Sequence, residues 1–198
     1  MWIYIFIFMT LYMNIGSALH YISNRGIRDL YKQLYPGQLY TLEHVVPKSI
    51  INNNNYTRDM HNILWVPSLI NNHRDNYKFV STFHVNDPII FLDYFGNKIK
   101  NGDDLKEDLS HMYLKSNLRR EIIPIQSMRG KIARACMYFI DTYPEYQNII
   151  CEKVIDLELA NEWHYENPPS KFEVEKNRKI CKYQGNLNLF IENPKLYI

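Results

Sequence analysis

The spacing of hydrophobic and polar residues changes along the chain and predicts strands first and helices later. The first clear segments, in chain order, are a β-prone run over 39–42 that leads into Glu43 and His44, a polar loop over 52–55, a second β-prone run over 62–66 and a short helix over 68–77. Pro67 closes the second run, and Ser68 is predicted to be the N-cap of the helix. The predicted order is therefore strand, loop, strand, helix.

Helical spacing dominates the second half of the chain. Before it, between residues 87 and 117, the dipeptides Gly96-Asn97 and Asn101-Gly102 indicate turns and a hairpin. Three helices are then predicted, over 127–143, 150–163 and 170–184. Pro144 stops the first helix, and Ser170 begins the third with the spacing of a capping box. No internal repeat and no linker rich in Gly or Ser divides the chain, so we predict a single α+β domain.

The N-terminal segment has the pattern of an export signal. Residues 2–13 are apolar and uncharged, and the small residues Gly16, Ser17 and Ala18 follow them. This run is shorter than the roughly 20 apolar residues of a membrane span. We therefore predict a signal peptide over 1–18 and a mature domain over 19–198, which is secreted, periplasmic or in a secretory lumen and not bound to a membrane. A membrane anchor or a buried first helix is the alternative. A short amphipathic helix is predicted over 23–35.

Composition and charge exclude several classes of protein. With 198 residues, of which 46% are hydrophobic and 22% charged, the chain is neither a disordered tail nor a fibre nor a small disulfide-stapled toxin. Its net charge is only +2, from 23 basic and 21 acidic residues, so it does not have the charge of a protein that coats nucleic acid. Binding to a polyanion would need a local basic patch. The three cysteines, Cys136, Cys151 and Cys181, lack the C-x-x-C spacing of a zinc knuckle.

The adjacent residues Glu43 and His44 are the most specific local indication of a reactive site in the sequence. Neighbouring side chains on a strand point to opposite faces, so a carboxylate and an imidazole can converge on one site only at a strand end or twist. The following helix offers Asn71 and Arg74, which are three residues apart and share a helical face. A strand ending in His, a second strand and a helix that offers an amide oxygen form the layout of a ββα-metal site. In that layout, one divalent cation lies between the helix and the strand.

Further blocks repeat one family's pattern in the same order. They are Glu43-His-Val-Val-Pro47, Asp59-Met-His-Asn62, Asn71-Asn-His-Arg-Asp-Asn-Tyr-Lys-Phe79, Arg129-Gly-Lys-Ile-Ala-Arg134, Glu162-Trp163 with Pro168, Phe172-Glu-Val-Glu175 and Gln184-Gly-Asn-Leu-Asn188. On these residues the chain resembles the endonuclease I group of His-Me finger (ββα-metal) nonspecific nucleases, of the secreted or periplasmic type. The resemblance implies a ββα-metal core over about 38–80, packed against a mainly helical second half.

The resemblance also implies roles for individual residues. His44 would be the general base that takes a proton from the attacking water. Glu43 and Asn71 would hold one Mg²⁺, or Mn²⁺ or Ca²⁺, through oxygen atoms, which hard cations prefer. Arg58, in the loop between the two strands, would be the arginine that contacts the scissile or product phosphate. The family cuts DNA, and often RNA too, with little sequence preference and leaves 5′-phosphate ends.

A basic strip beside the metal would bind the phosphate backbone of the nucleic acid. Besides Arg58, its predicted members are Arg74, Lys78, Arg129 and Arg134. Alternatives remain open for two of them, because Arg74 could instead brace the helix against a carboxylate and Arg134 could be a salt-bridge partner. His61 is expected to fix the geometry of the loop by hydrogen bonding. We expect the protein to act as a monomer.

The chain departs from the family's pattern at two places. The paired cysteines of the bacterial members are missing, and Leu189 stands where a proline is usual. Neither change touches the predicted metal ligands, so both bear on stability and subfamily.

Two other functions compete with that of a nuclease. The first is a catalytically weak nucleic-acid-binding module of the same fold. The presence of His44, Glu43 and Asn71 disfavours it. The second is another metallohydrolase, such as a zinc protease or phosphatase. It is disfavoured because the sequence has no H-E-x-x-H motif and the predicted ligands are oxygen atoms.

Overall fold

The computed structural model describes residues 39–99 and 109–197. The predicted signal peptide over 1–18, the predicted helix over 23–35 and the turn at Asn101-Gly102 lie outside the described residues. Within those two ranges, none of the helices combines the length and apolar character needed to cross a membrane.

The first module is an antiparallel hairpin followed by a short helix. Strand β1 (Tyr40–His44) pairs with β2 (Ile63–Pro67), and in this register His44 lies opposite Ile63. The connection between the strands contains two single turns of 3₁₀ helix, over Tyr56–Arg58 and Met60–Asn62. Helix α1 (Ser68–Arg74) follows β2 directly. The predicted order of strand, loop, strand and helix is therefore confirmed.

Both predicted ends of α1 need correction. The N-cap is Pro67 and no side chain caps the helix, so the prediction that Ser68 is the N-cap is wrong. Instead, the backbone N–H of Ser68 donates to the carbonyl of Leu39 at 2.7 Å and ties the helix to the start of β1. The helix also ends earlier than predicted, at Arg74, because Asp75 leaves the helical conformation with a φ of +48°.

A second sheet contains four strands. They are β3 (Lys78–Phe79), β4 (Ile89–Leu92), β5 (Tyr113–Ser116) and β6 (Glu121–Ile123). Their spatial order is β3-β6-β5-β4, in which only the β3–β6 pair is parallel. The predicted hairpin is confirmed, since Leu92 bridges Lys98 across a turn in which Gly96 has a φ of +93°.

Helices dominate the second half, as predicted. They are α2 (Gln126–Thr142), α3 (Gln147–Lys153), α4 (Leu157–Glu166), α5 (Lys171–Gln184) and α6 (Leu189–Glu192). The cap of α5 is confirmed, because the Ser170 side chain accepts a hydrogen bond from the backbone N–H of Glu173. The single helix predicted over 150–163 is wrong. The chain breaks at Val154 and Ile155, where the carbonyl of Val154 accepts the N–H of Phe79 at 2.7 Å.

One hydrophobic core joins these elements. It combines Val45 and Val66 of the hairpin, Phe79 and Ile122 of the second sheet, and Ile132, Phe139 and Trp163 of helices α2 and α4. Helix α2 is buried along most of its length and lies against α4. The α+β fold class predicted from the sequence is therefore confirmed.

Gly130 permits the close approach of α2 to the end of α4. A Cβ atom at this position would collide with the backbone oxygen of Asn167 and would lie 3.0 Å from Nη1 of Arg134. We expect Gly130→Ala to lower the free energy of unfolding by about 1–3 kcal/mol, because the overlap outweighs the gain of roughly 1 kcal/mol in helix propensity. Urea unfolding measures the change.

Ser127→Ala is the matched control for this substitution. Ser127 is exposed on the same helix, so its replacement by alanine should leave stability nearly unchanged or slightly raised. A Gly130→Ala variant as stable as Ser127→Ala would contradict the proposed steric role of this glycine.

Candidate active site

His44 is held at the end of β1 by a backbone carbonyl. The ring is half-buried, and its Nε2 lies 2.9 Å from the carbonyl oxygen of Thr57. Because a carbonyl can only accept, Nε2 carries the proton in this hydrogen bond, and the basic lone pair of the neutral ring is on Nδ1. The carbonyl of Thr57 therefore sets both the tautomer and the orientation of the imidazole.

Glu43 points to the opposite face of β1, towards α1. It is only 6% exposed, and its Oε1 lies 3.1 Å from Nη1 of Arg74. The two groups form an ion pair without hydrogen-bond alignment, so this buried Oε1 accepts no hydrogen bond from the described residues. Burial raises the pKa of Glu43 to about 7, and the charge of Arg74 opposes this effect. The carboxylate thus lies where an additional cation would stabilise its charged form.

Asn71 of α1 turns its amide oxygen away from the strand. Its Nδ2 donates to Oγ1 of Thr41 at 2.9 Å and to the carbonyl of Leu42 at 3.2 Å. The carbonyl of Leu42 can only accept, which fixes the nitrogen on the strand side and leaves Oδ1 on the other. Thr41 and Glu43 share a face of β1, so the amide and the carboxylate lie on the same side of the hairpin.

A small cavity brings these groups together. Glu43, Asn71 and Arg74 all line a space of about 20 Å³, the size of about one water molecule, whose other lining residues are hydrophobic or aromatic. The described residues contain no cluster of three or more His, Cys, Asp or Glu side chains that could hold a metal. Two oxygen donors nevertheless suit Mg²⁺, which is commonly bound through one or two protein oxygens, water and substrate phosphate. The orphaned oxygen of Glu43 therefore fits a hard divalent cation, and Asn71 lines the same space.

Arg74 clamps the end of β1 to α1. It is 3% exposed, and its guanidinium donates to the carbonyl of Val45 at 2.6 Å and to that of His44 at 3.4 Å. Its charged group also lies 4.7 Å from the centre of the Phe79 ring. The prediction that Arg74 contacts nucleic acid does not fit this burial. The alternative, in which it braces the helix against a carboxylate, is the arrangement seen.

Arg134 is likewise committed to the interior. It is 2% exposed, and its guanidinium donates to both carboxylate oxygens of Glu173, at 2.6 and 2.8 Å. A third bond, at 2.7 Å, reaches the carbonyl of Asn167. Arg134 therefore joins α2 to α5, and the prediction that it contacts nucleic acid is corrected to the salt-bridge role.

The other predicted basic contacts differ in their exposure. Lys78 is half-buried and donates to the carbonyl of Cys151 at 3.1 Å. Arg129, also half-buried, donates to the carbonyl of Pro124 at 3.2 Å, and its guanidinium lies 5.7 Å from the Trp163 ring. Arg58 is exposed directly after Thr57, the residue that holds His44. Of these three cations, Arg58 is the exposed one, and it is adjacent in sequence to the residue that holds His44.

Asp59 is a buried hub whose role was not predicted. Its Oδ2 accepts from the hydroxyls of Tyr138 at 2.7 Å and Tyr143 at 2.9 Å. Its Oδ1 accepts from the backbone N–H of His61 at 2.9 Å and from Nε2 of Gln184 at 2.8 Å. The carboxylate therefore fixes the loop that carries Thr57 to both α2 and α5. The turn-forming position of Asp59 could have suggested the bond to His61, but its other partners are remote in the chain.

His61 and Thr57 also act through structure. His61 is 6% exposed, and its Nε2 lies 3.1 Å from the carbonyl of Asn186, which shows the predicted role in fixing the loop. The contribution of Thr57 was missed, because a backbone carbonyl leaves no signal in the sequence.

The three cysteines that could have paired are all free thiols, and burial raises the pKa of Cys136 to about 12.

Comparison with known proteins identifies the family. A model of the endonuclease I family matches residues 12–195, which is most of the chain. The chain belongs to the endonuclease I family. The resemblance inferred from the sequence blocks is therefore confirmed, and in this family member those blocks include Glu43, His44, Asp59 and Asn71.

Individual relatives of this endonuclease I family member come from Aeromonas hydrophila. A periplasmic deoxyribonuclease is 28% identical over 134 residues, which are 68% of this chain and 47% of the relative. An extracellular deoxyribonuclease is also 28% identical over 134 residues, which are 68% of this chain and 48% of the relative. The chain thus spans about half the length of these curated relatives.

Removing the Asp59 hub should destabilise the fold. Asp59→Ala leaves two tyrosine hydroxyls, an amide and a backbone N–H without their acceptor, and we expect the free energy of unfolding to fall by about 3–5 kcal/mol. Asp156→Ala is the control, since this exposed residue caps α4 with one hydrogen bond and should cost about 1 kcal/mol. Equal losses in urea unfolding of the two variants would contradict the role of Asp59 as a hub.

Proposed function

We propose that this chain is an exported, divalent-metal-dependent endonuclease that hydrolyses phosphodiester bonds of DNA, and of RNA through the same backbone contacts. The observation that carries the proposal is the end of β1, where the Thr57 carbonyl orients His44 and where Glu43 and Asn71 line one small space between β1 and α1. The relatives named periplasmic and extracellular deoxyribonuclease support both the substrate class and export. The apolar run over 2–13 also supports export.

His44 would act as the general base. Nδ1 takes a proton from a water molecule, the water oxygen bonds to phosphorus, and the bond from phosphorus to the 3′ oxygen breaks. The 3′ oxygen then takes a proton from solvent, so the products are a 5′ phosphate and a 3′ hydroxyl. The hydrogen bond from Nε2 to Thr57 is kept throughout, and its carbonyl dipole stabilises the imidazolium that forms.

Glu43 and Asn71 would hold the cation, with Mg²⁺ as the ion and Mn²⁺ or Ca²⁺ as substitutes. When bound, the cation supplies stabilisation of negative charge on the phosphate and on the departing oxygen. Arg74 holds the carboxylate of Glu43 in place through an ion pair at 3.1 Å. Arg58, exposed beside the histidine, would contact the non-bridging oxygens of the same phosphate.

Loss of the base should abolish most of the activity. We expect His44→Ala to lower kcat on supercoiled plasmid by about 100-fold to 10,000-fold, the usual contribution of a general base. His111→Ala is the control, because His111 is exposed and lies outside the site, so this variant should cleave at the wild-type rate. A folded His44→Ala variant with full activity would exclude His44 as the base.

Metal binding can be tested without any activity. Titration calorimetry with Mn²⁺ should show one site per chain, and Glu43→Gln and Asn71→Ala should each weaken binding at least about 10-fold, because each loses an oxygen ligand or its charge. Glu145→Gln, at an exposed position outside β1, β2 and α1, should bind as the wild type does. Unchanged affinity in both site variants would refute the proposed ligand pair.

A further inference from the structure

A pocket lies beside β2, on the side away from β1. It has a volume of about 120 Å³ and is bounded by residues of β2, α2, α5 and α6. Neither the proposed base nor the proposed metal ligands line it. The residues that carry the inference are Trp65, Lys131, Phe172 and Lys176.

The ladder between β1 and β2 places this pocket one strand away from His44. The N–H of Val45 donates to the carbonyl of Asn62, so the next pair, His44 and Ile63, is a non-hydrogen-bonded pair with Cα atoms about 4.5 Å apart. The carbonyl of Ile63 therefore points away from β1. Nζ of Lys176 donates to this carbonyl at 2.9 Å. A cationic group thus lies across a single strand from the proposed base.

The lysines of the pocket are not neutralised by the other described lining residues. Lys176 uses one of its three ammonium donors, in the bond to Ile63, and neither lysine forms an ion pair within the described ranges. The carboxylate among the lining residues is Glu173, and Arg134 engages both of its oxygens. Burial lowers the pKa of Lys176 to about 8, with Glu173 opposing and Lys131 adding to the effect. An anion in the pocket would stabilise both ammonium groups.

Aromatic side chains line the same pocket as the two lysines. Trp65 pairs with Leu42, and His44 pairs with Ile63. Because Leu42 and His44 are two residues apart on β1, Trp65 lies on the same face of the hairpin as His44. Phe172 is 55% exposed and precedes Lys176 by four residues on α5, so both side chains lie on one helical face. The pocket volume is close to that of an apolar cavity that accepts one benzene ring. The pocket thus combines cations with a surface for one planar ring.

We propose that this pocket binds one nucleoside monophosphate unit of the substrate strand beside the scissile bond. Its phosphate would contact Lys131 and Lys176, and its base would lie against Trp65 and Phe172, as bases do on the aromatic side chains of proteins that bind single strands. The inference rests on the proposed nuclease function, because it takes the strand held at His44 as the source of the unit.

The first experiment measures the binding of thymidine 5′-monophosphate to the full chain by calorimetry, in the presence of EDTA. We expect the monophosphate to bind at least about 10-fold more tightly than thymidine or inorganic phosphate, since only it engages both halves of the pocket. Lys131→Met and Lys176→Met should each weaken it about 10-fold. Lys179→Met is the matched control, because Lys179 is on the same helix, exposed and paired with Glu175, and should bind as the wild type does.

A second experiment measures cleavage and tests whether the pocket binds a unit of the substrate strand and not only a free nucleotide. With a single-stranded oligonucleotide, Lys131→Met should raise KM about 10-fold and leave kcat unchanged, and Lys179→Met should change neither. Lys131 has no ion pair with a described residue, so its variant tests the proposal even if Lys176→Met fails to fold. His44→Ala should lose cleavage and still bind the monophosphate.

Failure of the pocket and failure of the nuclease function give different results. A wild-type protein without cleavage would refute the nuclease function. An active wild type whose Lys131→Met variant keeps both the monophosphate affinity and the KM would overturn the pocket alone. Weaker monophosphate binding with an unchanged KM would also overturn the proposal, because the bound unit would then not belong to the substrate strand.

Discussion

A buried carboxylate must be supplied with hydrogen-bond donors, and the donors that Asp59 recruits hold the two halves of the protein together. They come from two tyrosines of α2 or its end, from the last residue of α5 and from the loop itself. Movement of the loop would leave several buried donors unpaired at once, so the loop is fixed in place. The carbonyl of Thr57 belongs to this loop. The orientation of the proposed base therefore depends on a carboxylate that does not touch it.

A second buried charge fixes the other side of the same strand end. Arg74 binds the carbonyls of His44 and Val45 and pairs with Glu43, so the backbone is held where the side chains of Glu43 and His44 diverge. Adjacent side chains on a strand point to opposite faces, so His44 and Glu43 contact different elements. The imidazole meets the loop on one face, and the carboxylate meets α1 on the other. In the proposed mechanism a phosphate at the strand end would meet Glu43 through the bound cation and would meet the water activated by His44 on the other face.

Local signals predicted much of this arrangement, and long-range contacts account for what they missed. Pro67 marked the end of β2 and Ser170 the start of α5, because turn and cap chemistry acts within a few residues. The break at Val154 arises from a hydrogen bond to Phe79, far away in the sequence, so helical periodicity continued through it. The same distance hid the partners of Asp59 and Arg134. The proposed pair Glu43-His44 could be picked out because the two residues are adjacent in sequence, whereas the Thr57 carbonyl leaves no signal in the sequence.

The buried ion pairs show which of the charged residues behind the net charge of +2 are not available to bind a polyanion. Arg74 with Glu43 and Arg134 with Glu173 are matched pairs in the interior, so they remove equal numbers of positive and negative groups from the surface. The two pairs thus leave the net charge unchanged, and two of the arginines expected to meet a polyanion are committed to the interior. Among the cations of the described residues, the proposed contacts to a strand use Arg58 and the two pocket lysines. Few phosphate contacts mean few released counterions, which favours release of the cleaved strand over tight retention.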